Sequence, residues 1–484
     1  MKFVSKNKSW IFFALSLIVF VISFYLLRSF MNNFDEMDHI SAVYFMSRGK
    51  MLYKDIFATH FPLPFYWAYL FSSVWTHPPF YRAITVFRLS LMVFYVMIFV
   101  LIFRELKKPS EKNIFSIWIL FTSLILGLYH GNLYLSETFS GILLSGVLWL
   151  LISKSKNIFL FIILASLAFW TQPLLGLLIL IPILLSSKKE MSKTFLTIFG
   201  INIVPLVLLI MSGQFGGFLK QAIMFNFVNY SKNFPEQVSN NSMMRQNILN
   251  FFDNQKYLLS HFFNSTQIYQ FILNLSLIIF SFLFLKKEKW IYKFALATLL
   301  LSLMSRQVKV IPGKIFNFGI YPILLCAFVC LLTFLLNKRF RFYAYILVII
   351  CFIMAGIDSW PIFKQSLNHG YNYEVFWSYR ERIGEEISKF SNVNDRIWIY
   401  PHEPDLYFFA QRMPMDRFTY WYPWYDEVPE FKNERLETLK NNPPKIIYYG
   451  QMAYKNNPTM YADFFPNMLK NYKNVSGNIW VLKD

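Results

Sequence analysis

Long apolar runs alternate with short polar segments over most of the chain. Eleven runs lie at about residues 10–27, 84–103, 114–129, 136–152, 158–170, 173–185, 194–212, 267–285, 294–304, 319–336 and 342–357. A transmembrane helix needs about 20 mostly apolar residues. The runs 158–170, 173–185 and 294–304 are shorter, so they would need a thinner bilayer or broken helices. The pattern predicts a polytopic membrane protein with about eleven transmembrane helices.

Basic residues concentrate in alternate connecting segments. If the N-terminus is cytoplasmic, the inside segments hold 19 of the 47 basic residues and only four of the 27 acidic ones. This is the positive-inside pattern of membrane proteins. The formal net charge of +20 therefore reports topology and does not indicate a nucleic-acid partner. The same topology predicts an extracytoplasmic C-terminus.

Composition supports this interpretation. Apolar residues make up 56% of the chain and charged residues 15%, whereas soluble domains have roughly 25% charged residues. A soluble enzyme is therefore excluded. We predict a transmembrane domain over residues 1–357, with long outer loops at about 31–83 and 213–266, and an extracytoplasmic domain over 358–484.

The C-terminal segment has the pattern of a small α/β domain. Residues 396–400, 445–449 and 478–482 are compact apolar strands bounded by turn residues. Residues 373–390 and 430–440 are predicted amphipathic helices. The three cysteines, at positions 326, 330 and 351, fall inside predicted spans, where packing is the favoured role. The fold class is thus mainly α, with a small outer α/β domain.

The first outer loop begins with an acidic cluster of Asp35, Glu36, Asp38 and His39. In a helix, Asp35, Asp38 and His39 would share one face. Crowded carboxylates near lipid raise one another's proton affinity, which suits a general base. The alternatives are a hydrated interfacial anchor and a Mg²⁺ or Mn²⁺ site, because these ions prefer hard oxygen ligands.

The same loop continues with a set of short motifs. Gly49, Tyr53 and Asp55 form Gly-x-x-x-Tyr-x-Asp, and His60 and Pro62 begin His-x-Pro-Leu. With the acidic pair and the span pattern, these motifs resemble the membrane-embedded GT-C glycosyltransferases, in the branch of protein O-mannosyltransferases and lipid A aminoarabinose transferases. The resemblance implies transfer of a sugar, with inversion, from a polyprenyl phosphate to a glycan, lipid or protein acceptor on the outer face. It implies a bacterial plasma membrane and no cofactor or metal.

The resemblance also implies residue roles. Asp35 matches the catalytic acid of the loop-one pair, Glu36 is its second member, and Glu137 matches a second acidic position at the start of a later span. For Glu137 the alternative is a helix N-terminal acid beside a Ser136 cap. Many relatives have Lys directly before the loop-one Pro, where it meets the lipid phosphate; this chain has Phe61 there.

The remaining predicted binding residues would contact the donor or the acceptor. Around the acidic cluster and the loop-one motifs they are Asp38, His39, Lys54, Asp55 and His60, with Lys54 or His60 replacing the missing Lys.

Cations between two later spans resemble the family's phosphate-binding segment. They are Arg306, Lys309 and Lys314, and Arg306 is the first choice because a guanidinium binds phosphate in bidentate fashion. Snorkelling at the interface is the alternative, and Arg82 and Arg88 are weaker candidates for the same role. Gln172 follows a short span and could bind a sugar hydroxyl or satisfy its own loop.

Two other functions fit parts of the pattern. A polysaccharide polymerase or ligase also acts on lipid-linked glycans with outer loops. A lipid-glycan transporter would place charges at mid-membrane and commonly shows paired halves, whereas here the charges cluster at the outer rim. The glycosyltransferase interpretation is therefore preferred.

Overall fold

The computed structural model describes most of the chain. The described residues are 2–31, 34–75, 81–230, 265–304, 317–400, 403–419, 428–449 and 468–483, together with residues 253, 256, 421 and 425. Within them the chain forms two compact units. The first unit comprises Met1–Phe30, Arg88–Pro205 and Asn240–Gly370, and the second comprises Met31–Phe87, Leu206–Ser239 and Tyr371–Asp484.

The first unit is helical, and each of the eleven predicted apolar runs falls on helical structure. The runs correspond to α1 (Lys2–Leu26), α4 (Arg82–Glu105), α5 (Pro109–Ile125), α6 (Ser136–Ile152), α7 (Ile158–Thr171), a 3₁₀ segment (Pro173–Ile179) leading into α8 (Leu180–Leu185), α9 (Met191–Met211), α11 (Ser265–Lys287), α12 (Trp290–Met304), α13 (Asn317–Thr333) and α14 (Arg341–Lys389). These helices confirm the predicted polytopic membrane fold.

Helix length separates two kinds of span. Among the described residues, six helices are long and apolar enough to cross a membrane: Lys8–Leu26, Arg82–Glu105, Met191–Met211, Ile268–Lys287, Gly319–Leu336 and Arg341–Asn368. Four more apolar helices have only 10–17 residues. The run predicted at 173–185 is one of these, and it is broken into a 3₁₀ part and a short α part.

The cysteines pack as expected of small apolar side chains. Cys326, Cys330 and Cys351 are free and fully buried. Helix α14 also extends further than the predicted span, because it includes the amphipathic helix predicted at 373–390 without interruption.

The second unit contains the predicted outer loop at 31–83, the first part of the one predicted at 213–266, and the C-terminal sheet. Besides the end of α14, its helices include α2 (Phe34–Ser47), α3 (Pro62–Tyr69), a 3₁₀ helix (Ser72–Trp75), α10 (Phe215–Phe218), a π-helix (Leu219–Tyr230), α15 (Asp405–Ala410) and α16 (Pro429–Asn441). The predicted division into domains at residue 357 stays a prediction, because compactness does not report where a membrane lies.

The sheet has five strands in the order β2-β1-β3-β5-β4. They are β1 (Arg396–Tyr400), β2 (Met413–Pro414), β3 (Ile446–Tyr449), β4 (Tyr472–Ser476) and β5 (Ile479–Leu482). Strand β1 pairs in parallel with β2 and β3, and β5 is antiparallel to β3 and β4. Strands β1, β3 and β5 confirm the three predicted strands.

One aromatic core joins the parts of this unit that are distant in sequence. Phe57 from the first predicted outer loop and Phe225 from the second pack with Trp398, Phe418 and Phe431 of the C-terminal segment. The centroid of the Phe57 ring lies 4.8 Å from that of Phe418 and 4.9 Å from that of Phe431. Burying rings of this size is a large stabilising contribution, so the loops and the sheet share a single core.

Candidate functional site

The predicted acidic cluster lies at the start of α2. Glu36, Asp38 and His39 are buried, with exposed fractions of 0%, 3% and 0%, and Asp35 is half-buried. Asp35 and Glu36 occupy the first turn of the helix, where the helix dipole favours negative charge. A hydrated anchor would leave these groups in water, so this burial argues against that alternative.

His39 connects the cluster to the second motif of the loop. Its Nδ1 donates to the carbonyl oxygen of Asp35 at 2.7 Å, one helical turn earlier, as the predicted shared face requires. Its ring stacks on Phe65 with centroids 4.6 Å apart and lies 4.9 Å from the ring of His60. Two predicted binding residues that are 21 positions apart in sequence therefore meet.

Asp38 is held by the C-terminal segment. Thr419 Oγ1 donates to Asp38 Oδ1 at 2.9 Å, and Asp38 Oδ2 has no hydrogen-bond partner among the described residues. Burial raises the pKa of Asp38 well above its ordinary 3.8; the Thr419 hydrogen bond opposes this, and the charge of Asp35 adds to it. The uncharged acid is therefore favoured at this position.

This pKa shift predicts a pH-dependent stability. The contribution of Asp38 to folding is fully present below about pH 3.8, the unfolded value, and is lost as the pH rises through the higher folded pKa. Asp38→Asn keeps an acceptor for Thr419 and removes the titration. We expect the midpoint temperature of thermal unfolding to fall less steeply with rising pH in this variant than in the wild type. Parallel curves for the two proteins would contradict the burial of an ionisable Asp38.

The Gly-x-x-x-Tyr-x-Asp motif builds a turn. Gly49 (φ +83°) and Tyr53 (φ +63°) both have left-handed backbones, which glycine adopts freely and Tyr53 only under constraint. Asp55 Oδ2 accepts the Met51 N–H at 2.9 Å. Asp55 therefore has a turn-forming contact in addition to its predicted binding role. The side chains of Lys54 and Asp55 are both exposed.

The residues around the loop-one proline differ in exposure. Phe61 is buried, with its ring centroid 5.0 Å from that of Phe218. His60 is half-buried, and its carbonyl accepts a hydrogen bond from Tyr53 Oη at 2.7 Å. At the position where many relatives carry Lys, the side chain therefore belongs to the aromatic packing, and His60 beside it is the accessible group.

The predicted site residues of the first unit lie at helix ends. Glu137 is half-buried in the first turn of α6. Helix α6 begins at Ser136, so Leu135 is the N-cap residue, and its N–H donates to Thr138 Oγ1 at 3.1 Å. Gln172 is buried, and its Nε2 has no hydrogen-bond partner among the described residues. The sugar contact and the loop-satisfying role of Gln172 both stay predictions.

The predicted phosphate-binding cations Arg306, Lys309 and Lys314 lie outside the described residues. Of the weaker candidates, Arg82 is exposed, whereas Arg88 is fully buried. Arg88 Nη1 donates to the backbone oxygens of Arg28 and Phe30 at 2.9 and 3.0 Å. Its visible role is thus to bind the carbonyl groups that follow α1.

Three residues that are distant in sequence from the first loop form hydrogen bonds with it, and the sequence did not indicate them. Thr419 binds Asp38, and Gln221 and Asn226 bind the backbone of the turn. No local pattern marks them, because each is a single polar residue whose partner is distant in sequence. Within the described part of the chain, no three His, Cys, Asp or Glu residues are grouped so that they could hold a metal ion; the metal-free site stays a prediction.

A search of solved structures relates this architecture to a known protein. The chain aligns with the crystal structure of ArnT from Cupriavidus metallidurans bound to undecaprenyl phosphate, with a TM-score of 0.53, 10% sequence identity and coverage of 98% of both chains. The chain has the ArnT fold. That fold is the one implied by the GT-C resemblance of the sequence, and it extends over both compact units. No protein-family model matches the sequence, and no curated protein matches it.

Proposed function

We propose that the protein is a glycosyltransferase that moves a sugar from a polyprenyl-phosphate donor to an acceptor on the outer face of a bacterial plasma membrane. The observation that carries the proposal is the buried acidic helix α2 in a chain with the ArnT fold. Support for the donor class comes from the ArnT structure, which contains undecaprenyl phosphate.

In this proposal Asp35 is the general base. An acceptor hydroxyl is a weak nucleophile at neutral pH, so it needs a carboxylate to take its proton as it attacks the anomeric carbon. The bond from the anomeric carbon to the phosphate oxygen breaks as the new bond forms, and polyprenyl phosphate leaves. Attack opposite the leaving group inverts the anomeric centre. Glu36 and Glu137 are the supporting acidic residues.

The leaving phosphate needs cations or strong hydrogen-bond donors around it. Arg306, Lys309 and Lys314 are proposed for this role from the sequence. On the loop-one side, His60 and Lys54 are the proposed contacts, since Phe61 is packed against Phe218. Asp38, His39, Asp55 and Gln172 are proposed to bind substrate hydroxyl groups or to hold the loop that does.

Donor recognition can be tested by binding alone. Native mass spectrometry of the purified protein with undecaprenyl phosphate, and with undecaprenol as the matched control, separates recognition of the phosphate from partitioning of the lipid tail. We expect adducts with the phosphate-bearing lipid at concentrations where undecaprenol gives none. Equal adducts with both lipids would count against a phosphate site.

The proposed outer-face chemistry requires a defined topology. Because 19 basic residues lie in the predicted inside segments, a periplasm-dependent reporter fused after Asp484 should be active, and a cytoplasm-dependent reporter after Lys189 should also be active. A silent reporter at Asp484, with normal expression of the fusion, would place the sheet and α2 on the wrong side for this reaction.

A further inference from the structure

The helical segment of the second outer loop docks on the turn of the first. We call residues 215–230 the loop-two helix and residues 51–60 the loop-one turn; both belong to the second compact unit. The loop-two helix begins as a short α-helix and continues as a π-helix over Leu219–Tyr230. The π-helix is rare, and its commonest form, the single-turn π-bulge, is frequent at functional sites.

Two amide side chains of the loop-two helix bind the backbone of the loop-one turn. Gln221 is fully buried; its Nε2 donates to the Tyr53 carbonyl at 2.7 Å, and its Oε1 accepts the Ala58 N–H at 3.0 Å. Asn226 Nδ2 donates to the Thr59 carbonyl at 2.7 Å. The side chain of Gln221 therefore joins both ends of the stretch that contains Lys54, and Asn226 binds the residue next to His60.

Close backbone approach adds a steric constraint. A Cβ atom on Gly217 would lie 2.0 Å from the Tyr53 carbonyl oxygen, far inside contact distance, so only glycine fits there. A Cβ atom on the neighbouring Gly216 would meet nothing within 4 Å. Phe218 continues the contact, with its ring centroid 5.3 Å from that of Tyr53.

The turn that is held in this way leads directly to the site. Tyr53 has a left-handed backbone that its neighbours must maintain. Its hydroxyl donates to the carbonyl of His60, whose ring lies 4.9 Å from that of His39. His39 in turn donates to the carbonyl of Asp35. A continuous series of contacts therefore runs from the loop-two helix to the acidic cluster.

We infer that the loop-two helix is a positioning element of the site, in which Gly217, Gln221 and Asn226 fix the loop-one turn so that His60 and Lys54 face the donor. The consequence for the donor rests on the proposed function. The fixing of His60 does not, because it is a property of the folded second unit.

The steric contact provides a matched pair of variants. Gly216→Ala and Gly217→Ala make the same chemical change at adjacent positions of one helix, but only the second forces the Tyr53 carbonyl to move. We expect diethyl pyrocarbonate to modify His60 several-fold faster in Gly217→Ala than in the wild type, and at the wild-type rate in Gly216→Ala. Peptide mass spectrometry measures the rate, and thermal unfolding checks that each variant is folded. Equal rates in both folded variants would overturn the inference.

A second variant keeps the test open if Gly217→Ala does not fold. Gln221→Glu retains an acceptor for the Ala58 N–H and removes the donor to the Tyr53 carbonyl, so His60 should again be modified faster. An unchanged rate in this variant would also overturn the inference.

The labelling needs no donor, so it separates this inference from the proposed function. If the wild type binds undecaprenyl phosphate, Gly217→Ala should weaken that binding by roughly tenfold or more, the size expected for a lost charge-assisted phosphate contact. Turnover at saturating donor should change much less. Faster labelling of His60 without any loss of affinity would contradict the link between the turn and the donor.

Discussion

Asp35→Asn is expected to lower sugar transfer by roughly a hundred- to ten-thousand-fold, the range of general-base catalysis. The substitution preserves the shape of the side chain and removes its basicity. Asp35 is the half-buried member of a cluster whose other three members are buried, so it is the one best placed to meet an acceptor hydroxyl. Binding of the donor should be nearly unchanged, because the base acts on the acceptor.

The assay uses purified protein, a labelled polyprenyl-phosphate sugar and membranes that lack the protein as the source of acceptor. Asp38→Asn is the matched control on the same helix face and should lower transfer far less, since Asp38 is buried against Thr419. Normal turnover in Asp35→Asn combined with inactivity of Glu137→Gln would move the base to Glu137. Full activity of all three variants would remove the acidic cluster from the mechanism.

Replacing Arg306 and Lys309 together by Gln is the second large effect that we expect. Each lost charge-assisted contact to phosphate costs about 1.5–3 kcal/mol, or roughly tenfold to a hundredfold in affinity. The double variant should therefore bind undecaprenyl phosphate very weakly and transfer no measurable sugar. Its midpoint temperature of thermal unfolding should stay close to that of the wild type.

Lys338 and Arg339 supply a control for this experiment. They are basic residues of a predicted inside loop, so their replacement by Gln removes the same charge on the other side of the membrane. Wild-type donor affinity in the Arg306/Lys309 double variant would place the phosphate site elsewhere, with His60 and Lys54 as the next residues to test.

Elements defined by local pattern were predictable from the sequence. Apolar runs mark the spans because each must shield its backbone from lipid within its own helix. The strand at 396–400 and the helix at 430–440 followed from their periodicity and turn residues, and the structure confirms both. Strand β4 was missed because its sequence, Tyr-Lys-Asn-Val-Ser, is largely polar and half exposed at the sheet edge, so it lacks the apolar signal that marks the inner strands.

The site was predictable as residue types and only partly as an arrangement. The helical face shared by Asp35, Asp38 and His39 follows from spacing alone, and the His39 contact with Asp35 agrees with it. The Asp38–Thr419 hydrogen bond joins positions 381 residues apart, and no periodic pattern encodes such a pairing. Long-range contacts of this kind depend on how the loops pack on the C-terminal sheet. The chemical roles of the site residues stay predictions.

The central claim is sugar transfer from a polyprenyl phosphate, and mass analysis of intact cells tests it whatever the acceptor is. Polyprenyl phosphates and surface glycans would be compared in cells with the wild-type protein, cells without it and cells with Asp35→Asn. We predict that the last two accumulate one polyprenyl-phosphate sugar and lack the corresponding sugar on a surface molecule. Identical polyprenyl-phosphate and glycan profiles in all three strains would contradict the account.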